Sequence, residues 1–325
     1  MTDAVEIVEG SVTPAKIIRG AGLERNFGLI GIVTFGLASI GISVSGLFPF
    51  STIAGLFPGA SLIAILTIAV IASLVHTYSY SMIGAIAPRS GADYVFATRV
   101  LPAPLGFASS WLFVLYSALM AGTLVAFFPK VLLPIFLTAF SLISGNSQAA
   151  GIARDVSQTS GTILAGSLFA VVAFTSMLMN PRRLQKILLG GVVLGLVAWI
   201  VMVVIFAFTQ GAGQFESAWD SMMGGTSFRT QIDLAKEMGM PAIKGFLPVI
   251  TAGFLMGFWV FFGYFVSTFM AGEVKSPEKN ILRGSAISLV VTWLVLIVAS
   301  FFVLKIVTPE WLSAESFLFL NGSET

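Results

Sequence analysis

The sequence predicts an all-α integral membrane protein, and three observations predict it. Hydrophobic residues fill 57% of the 325 positions, charged residues only 10%, and mean hydropathy is +0.97. A soluble domain carries about 25% charged residues, so this chain has too few to cover a water-facing surface. The apolar residues also gather in blocks of the length that crosses a bilayer, about 20 residues, and all fifteen acidic residues lie outside those blocks.

Residues 1–26 open the chain as a polar segment holding Asp3, Glu6, Glu9, Lys16, Arg19, Glu24 and Arg25. A signal peptide would instead begin apolar and end at a small-residue cleavage site. Apolar blocks follow near 27–50, 60–86, 104–129, 161–180, 184–208, 246–270 and 285–307, so 27–307 reads as one transmembrane domain. A shorter apolar piece, 131–144, contains Pro134 and follows Pro129-Lys130. It is too short to cross alone and reads as an extension of the third span or as an interfacial segment. The second, fourth and sixth spans each end in a basic loop with a helix-stopping proline: Pro88-Arg89, Asn180-Pro181-Arg182-Arg183 and Lys275-Ser276-Pro277. The long loop 209–245 is polar, and Ile232, Leu234, Ala235 and Met238 recur in it at helical spacing, which predicts a short helix over 230–238. Residues 308–325 read as a tail.

Eleven of the seventeen Lys and Arg fall on one side of this arrangement: Lys16, Arg19, Arg25, Arg89, Arg99, Arg182, Arg183, Lys186, Lys275, Lys279 and Arg283. Basic loops stay inside, so the N-terminal segment is expected in the cytoplasm. Seven spans then put the 308–325 tail outside the cell.

Composition also excludes chemistry. There are no cysteines, so disulfides and thiolate metal sites are ruled out. The spans hold no Asp or Glu, which disfavours a membrane enzyme or a carboxylate proton relay. No phosphate-binding Gly-x-x-x-x-Gly-Lys-Ser/Thr loop occurs, so ATP does not drive anything within this chain. Nothing points to nucleic acid or to a resident cofactor.

The sole histidine, His76, lies inside the second span near Tyr78 and Tyr80. An ionisable group at that depth is a functional candidate; the plain alternative is a neutral imidazole bonded to a neighbouring helix. Two spans are richer in signal. The first carries Ser39-Ile40-Gly41-Ile42-Ser43-Val44-Ser45-Gly46-Leu47-Phe48-Pro49, and the sixth carries Gly253 through Gly257 to Trp259-Val260-Phe261-Phe262-Gly263. Glycine weakens a helix by about 1 kcal/mol against alanine. A broken helix at membrane depth is tolerated only in a protein interior or along a cavity. In transporters the half-helix ends meet charged ligand groups. Small residues also serve plain helix packing, and spacing alone leaves both readings open.

Three stretches resemble the amino acid–polyamine–organocation (APC) superfamily of permeases. Ala87-Pro88-Arg89-Ser90-Gly91-Ala92-Asp93-Tyr94 is similar to that family's loop after its second helix. Trp259-Val260-Phe261-Phe262-Gly263 leading to Gly272-Glu273-Val274-Lys275-Ser276-Pro277 is similar to its sixth helix and the loop beyond. Leu23-Glu24-Arg25-Asn26-Phe27-Gly28 opens a small-residue first span, as in the family. The resemblance implies a fold of five-plus-five helices in inverted repeats, with discontinuous first and sixth helices. Only two helices of the second repeat are then present, so the chain reads as truncated after its seventh transmembrane helix, or as one part of an assembly.

By the same resemblance, the N–H groups near Ser45 and Gly46 hold a substrate carboxylate. The carbonyls of Ile42, Trp259 and Phe262 face its amine, and Trp259 is an aromatic gate. The implied substrate-binding set is Ile42, Ser43, Ser45, Gly46, Trp259, Phe261 and Phe262, with His76, Tyr116 and Gly257 as polar or gating residues. Where the family's first helix reads Gly-x-x-x-Gly-Ser-Gly, this chain has Ile40, Val44, Ser45 and Gly46, so only the last glycine is kept. Some proton-coupled relatives place a lysine midway along the fifth helix, whereas Lys186 sits at its end here. The expected function is secondary active transport of amino acids or related amines across the plasma membrane, by alternating access and with no metal. The coupling ion is open between protons and sodium, and a homo-oligomer is compatible. The alternative is a non-transporting sensor, or a partial subunit needing a partner chain. The aromatic sixth span suggests an apolar or aromatic side-chain pocket.

Overall fold

The computed structural model describes residues 25–86, 88–209, 211–222, 227–243 and 245–322, and among them every regular element is a helix. The lone extended contact is a parallel bridge between Phe27 and Val274. Five helices are long and apolar enough to cross a membrane, and two shorter apolar segments, 29–40 and 246–260, accompany them.

The first segment begins with α1 (Leu29–Ile40), which ends at Gly41, φ 65°, whose N–H turns back to the carbonyls of Leu37 and Ala38. Glycine reaches that left-handed geometry without a Cβ penalty, which is why a helix end can form here in an otherwise apolar run. α2 is a single turn (Ile42–Ser45), and a π-helical turn (Pro49–Ile53) leads into α3 (Ala54–Leu56). α4 (Leu62–Ile86) crosses without interruption, and α5 (Ala92–Val100) lies after it.

α6 (Ala103–Phe127) runs through a π-helical turn at Phe128–Leu132 into α7 (Leu133–Ser144), making one rod of 42 residues. The piece 131–144 therefore extends the third span, the first of the two sequence alternatives. At 1.5 Å per residue the rod is about 63 Å long, twice the thickness of the hydrocarbon layer. Gly145, φ 70°, turns the chain into α8 (Ser147–Ser157), whose first turn is capped by the Asn146 side chain, 3.0 Å from the Gln148 N–H. α9 (Thr159–Met177) and α10 (Pro181–Phe208) follow, the latter capped in the same way by Asn180.

In the polar loop, α11 (Ala212–Met222) precedes α12 (Phe228–Glu237), which falls where the apolar spacing put a helix. The sixth block is broken into α13 (Phe246–Ala252), a π-helical turn (Gly253–Gly257), α14 (Phe258–Val260), a non-helical turn at 261–265 and α15 (Val266–Phe269). α16 (Pro277–Val307) is the longest regular α-helix at 31 residues. The 308–325 segment, expected as a tail, contains α17 (Pro309–Leu320). Proline at its first position and a Thr308 side-chain cap start it, and Trp311, Leu312, Ala314 and Leu318 are buried.

The core is a bundle of α4, α16, α1 and the broken 246–269 segment. Ile65, Leu66, Phe261, Tyr264, Leu289 and Leu296 are fully buried in it. α1 lies close on α16 because Gly36 faces Ser288 and Gly284 faces Ile32. The Ser288 hydroxyl donates to the carbonyls of Val33 (3.1 Å) and Gly284 (2.9 Å), stitching the two helices at a glycine-thin contact. At one end, the Phe27 N–H donates to Glu273 (3.1 Å), the Lys275 N–H donates to Phe27 (2.8 Å), and the Arg182 guanidinium donates to Asn26 (3.0 Å). At the other end, α17 covers α3, and the Ser316 hydroxyl donates to the carbonyl of Phe50.

Candidate functional site

The two interrupted segments meet at their interruptions. Gly263 sits in the 261–265 turn at φ 115°. A Cβ added there would lie 2.5 Å from the Ser39 carbonyl oxygen and 2.9 Å from the Ile40 nitrogen. The last turn of α1 thus rests on the bare backbone of the second break, and no residue larger than glycine fits between them.

On the first segment, the break is braced from α10. The indole of Trp199 donates through Nε1 to the carbonyl of Ile42 at 3.3 Å, and a Cβ on Gly46 would run into the same ring. The Gly46 N–H also donates to Ile42, at 3.1 Å, so that carbonyl already accepts two hydrogen bonds. The Ser45 N–H donates to Gly41 at 2.9 Å, and its hydroxyl donates to the carbonyls of Gly41 (2.8 Å) and Ile40. The carboxylate-binding N–H groups expected near Ser45 and Gly46 are therefore engaged inside the break. Ile42 and Ser43 occupy the first two positions of α2, where helix geometry leaves N–H groups without an intrahelical acceptor. The Ser43 side chain lies outside the described residues.

On the second segment, a cavity of about 440 Å³ opens between α4, α6 and residues 255–265. That volume suits a small molecule. Its walls are almost wholly aromatic, including Phe113 and Tyr116 from α6, Tyr80 from α4, and Phe258, Trp259, Phe262 and Phe265. Three of the expected residues, Trp259, Phe262 and Tyr116, stand on this one cavity with His76, and Tyr116 meets Phe262 edge-on at 5.5 Å. Trp259 reaches across to the first segment, its ring 4.4 Å from that of Phe48. Ile42, Ser45 and Gly46 do not line the cavity. Phe261 is fully buried on the core side of the turn. Gly257 packs on α4, where a Cβ would come within 2.8 Å of the Ala69 methyl, so it serves helix contact. The Trp259 carbonyl accepts from the Phe262 N–H at 3.0 Å, whereas among the described residues no hydrogen bond ends on the Phe262 carbonyl.

His76 faces the cavity with its ring stacked on Tyr80, centroids 5.0 Å apart. Its Nδ1 lies 2.6 Å from the hydroxyl of Tyr264, which follows Gly263 in the second break. Trp199 and Tyr264 carry the two breaks and were not marked by the sequence. A lone tryptophan mid-span in the fifth block and a tyrosine next to Gly263 were the available signals. A second cavity of about 420 Å³ shares Phe113 and continues towards Gly91, Tyr94, Trp111 and Phe269. Among the described residues no cluster of His, Cys, Asp or Glu could hold a metal ion.

This chain matches the family described as Amino acid permease over residues 27–320. It is 23% identical over 308 residues to the rat protein named Large neutral amino acids transporter small subunit 2, an alignment covering 91% of this chain and 50% of the relative. The mouse protein of the same name gives the same identity and the same coverage. The chain spans about half the length of these curated relatives. No solved structure matches it at a comparable level.

Proposed function

Because this chain belongs to the amino acid permease family, we propose that it is a secondary transporter, and not an enzyme, for amino acids or related amines. The observation that carries the reading is the contact of Gly263 with Ser39 and Ile40: two helices are interrupted at one place, beside an aromatic cavity. Interrupted helices at membrane depth expose main-chain dipoles that suit a zwitterion. The first N–H groups of α2 would meet the carboxylate, and the Phe262 carbonyl, with that of Trp259, would meet the amine; the Ile42 carbonyl, expected to join them, is already taken by Trp199 and Gly46. Trp259 closes over the amine and offers about 0.5–2 kcal/mol through its ring face, enough to select but not to drive binding alone. The side chain enters the pocket bounded by Phe113, Tyr116, Phe258 and Phe262. The rat relative's name, which specifies large neutral amino acids, agrees with a pocket of that lining.

Transport proceeds by alternating access, the bundle rocking against the remaining helices. The N-terminal segment is cytoplasmic by its basic loops, the plasma membrane is the setting, and the five-plus-five repeat is the fold this family membership favours. Reconstitution tests the reading. Proteoliposomes containing the chain should accumulate labelled L-phenylalanine or L-leucine saturably, and Trp259→Ala should raise the half-saturating concentration. A chain that neither binds nor moves any amino acid overturns it.

A further inference from the structure

We infer that His76 and Tyr264 form a proton-binding site that couples protonation to the second helix break; this rests on the transport reading above. The argument begins with position. His76 is the only histidine in the chain, it faces the aromatic cavity, and its Nδ1 lies 2.6 Å from the Tyr264 hydroxyl. Tyr264 is fully buried and adjoins Gly263, the residue seated on Ser39 and Ile40. One hydrogen bond therefore joins α4 to the point where both breaks touch.

The chemistry follows from the imidazole. A neutral ring has one N–H and one lone pair, so Nδ1 can accept from the tyrosine or donate to it. Taking one proton from water leaves both ring nitrogens as donors. Nδ1 must then donate, the Tyr264 oxygen must accept, and the tyrosine hydrogen must turn elsewhere. Where the neutral ring carries its hydrogen on Nε2 and Nδ1 accepts from the tyrosine, a single proton thus reverses the direction of the bond that ends on the break. It also places a positive charge on a cavity wall that carries none among the described residues.

Among the described residues no charged side chain lines this cavity. On α4 itself the titratable neighbours are Tyr78 and the stacked Tyr80, and α4 carries no charged residue. From 246–272 only Tyr264 titrates. From α6, Tyr116 stands across the cavity, and from α5 Tyr94 lines the neighbouring one; the side chains of Asp93 and Arg99 lie outside the described residues. α16 carries Glu278, Lys279, Arg283 and Lys305, all near its two ends. Histidine is the one side chain here that ordinarily changes charge between about pH 5 and 8.

The test uses the single histidine. Ring-labelled histidine gives nuclear magnetic resonance signals from His76 alone. In the intact chain the ring should titrate between about pH 5 and 8, and Tyr264→Phe should move the midpoint by about half a unit or more. Saturating L-phenylalanine should also move it, because protonation and ligand affinity are reciprocally linked. In proteoliposomes, an inward proton gradient should stimulate L-phenylalanine uptake by the wild type, and the ratio of uptake with and without the gradient should fall to one in His76→Gln. A titration indifferent to Tyr264→Phe and to L-phenylalanine overturns the inference, as does full gradient stimulation in His76→Gln. If that variant does not fold, the resonance measurements decide. Wild-type uptake with no proton sensitivity defeats this inference alone, whereas failure of the wild type to bind or move any amino acid defeats the transport reading.

Discussion

The bundle of α1, α4, α16 and the 246–269 segment contrasts with the arm formed by α6 through α9. In the most apolar stretch of α4, 39% of residues are buried by other parts of the protein, and in α16 33%; in the 103–144 rod none is, and in α9 11%. The bundle buries polar atoms as well, among them Ser267, Ser285, Ser288 and Thr292. The arm turns Leu112, Leu119, Phe136, Ile143, Leu164 and Phe174 outward. Lipid tails are as apolar as these side chains, so burial does not distinguish a site from a surface in a membrane. What distinguishes the bundle is mid-span interruption at positive φ: the breaks at Gly41 and Gly263 lie in it, whereas the π-helical turn at Phe128–Leu132 leaves the arm's rod continuous.

The sharpest way to break that contrast is to fill the two breaks. Gly263→Ala combines a positive φ with a backbone clash, so stability should fall by about 2–3 kcal/mol and uptake by about 100-fold or more. In the arm, Gly122→Ala meets nothing within 4 Å and should leave thermal stability within about 1 kcal/mol, towards the stable side. Equal effects at both positions, read by thermal denaturation in detergent, would erase the distinction. Gly46→Ala should be the next most damaging, because the new methyl meets the Trp199 ring. Trp199→Ala in the same chain should restore part of the loss, with a coupling of about 1 kcal/mol or more between the two sites. Additive losses would mean that α10 does not brace the first break.

Smaller effects sharpen the picture. Trp259→Ala should raise KM by roughly 2- to 30-fold, the equivalent of about 0.5–2 kcal/mol, with thermal stability little changed. Least of all should come from the exposed contact of α12 with α17, where Lys236 and Glu310 pair at 2.8 Å with both side chains largely exposed. The Glu310 hydrogen bond raises the Lys236 pKa above its ordinary value of 10.5. A raised lysine pKa gives stability that is fully present below that value and is lost only as pH rises through the folded one. Stability should therefore be flat between about pH 6 and 9 with respect to this pair, and Glu310→Gln should shift the melting temperature negligibly in physiological salt.

Much of the architecture was legible because its signal is long-range and simple. Twenty apolar residues without an acid declare a span, and the glycines at 41 and 263 declare backbone that a helix resists. The 131–144 piece stayed ambiguous because length alone cannot tell a continuous rod from a surface helix; the π-helical turn at Pro129 makes the continuity. α17 was missed because its burial comes from distant contacts, with α3 and α12, rather than from its own pattern. Trp259 and Phe262 entered through the family resemblance as substrate-binding residues and Tyr116 as a polar or gating one; that one cavity gathers all three is a tertiary fact. Trp199 was not legible, since nothing in the fifth block says that its indole lies on Gly46. The engagement of the Ile42 carbonyl by that indole is a tertiary fact of the same kind.

The central claim is that both breaks contact one ligand, and the absence of cysteines makes it directly measurable. Phe48→Cys on the first segment and Phe262→Cys on the second should each react with a small thiol reagent. L-phenylalanine should protect each with a half-maximal concentration equal to that variant's own half-saturating concentration for uptake, while buried Phe261→Cys should stay unreactive. Protection of only one position, or of neither at a concentration that saturates uptake, would contradict the account.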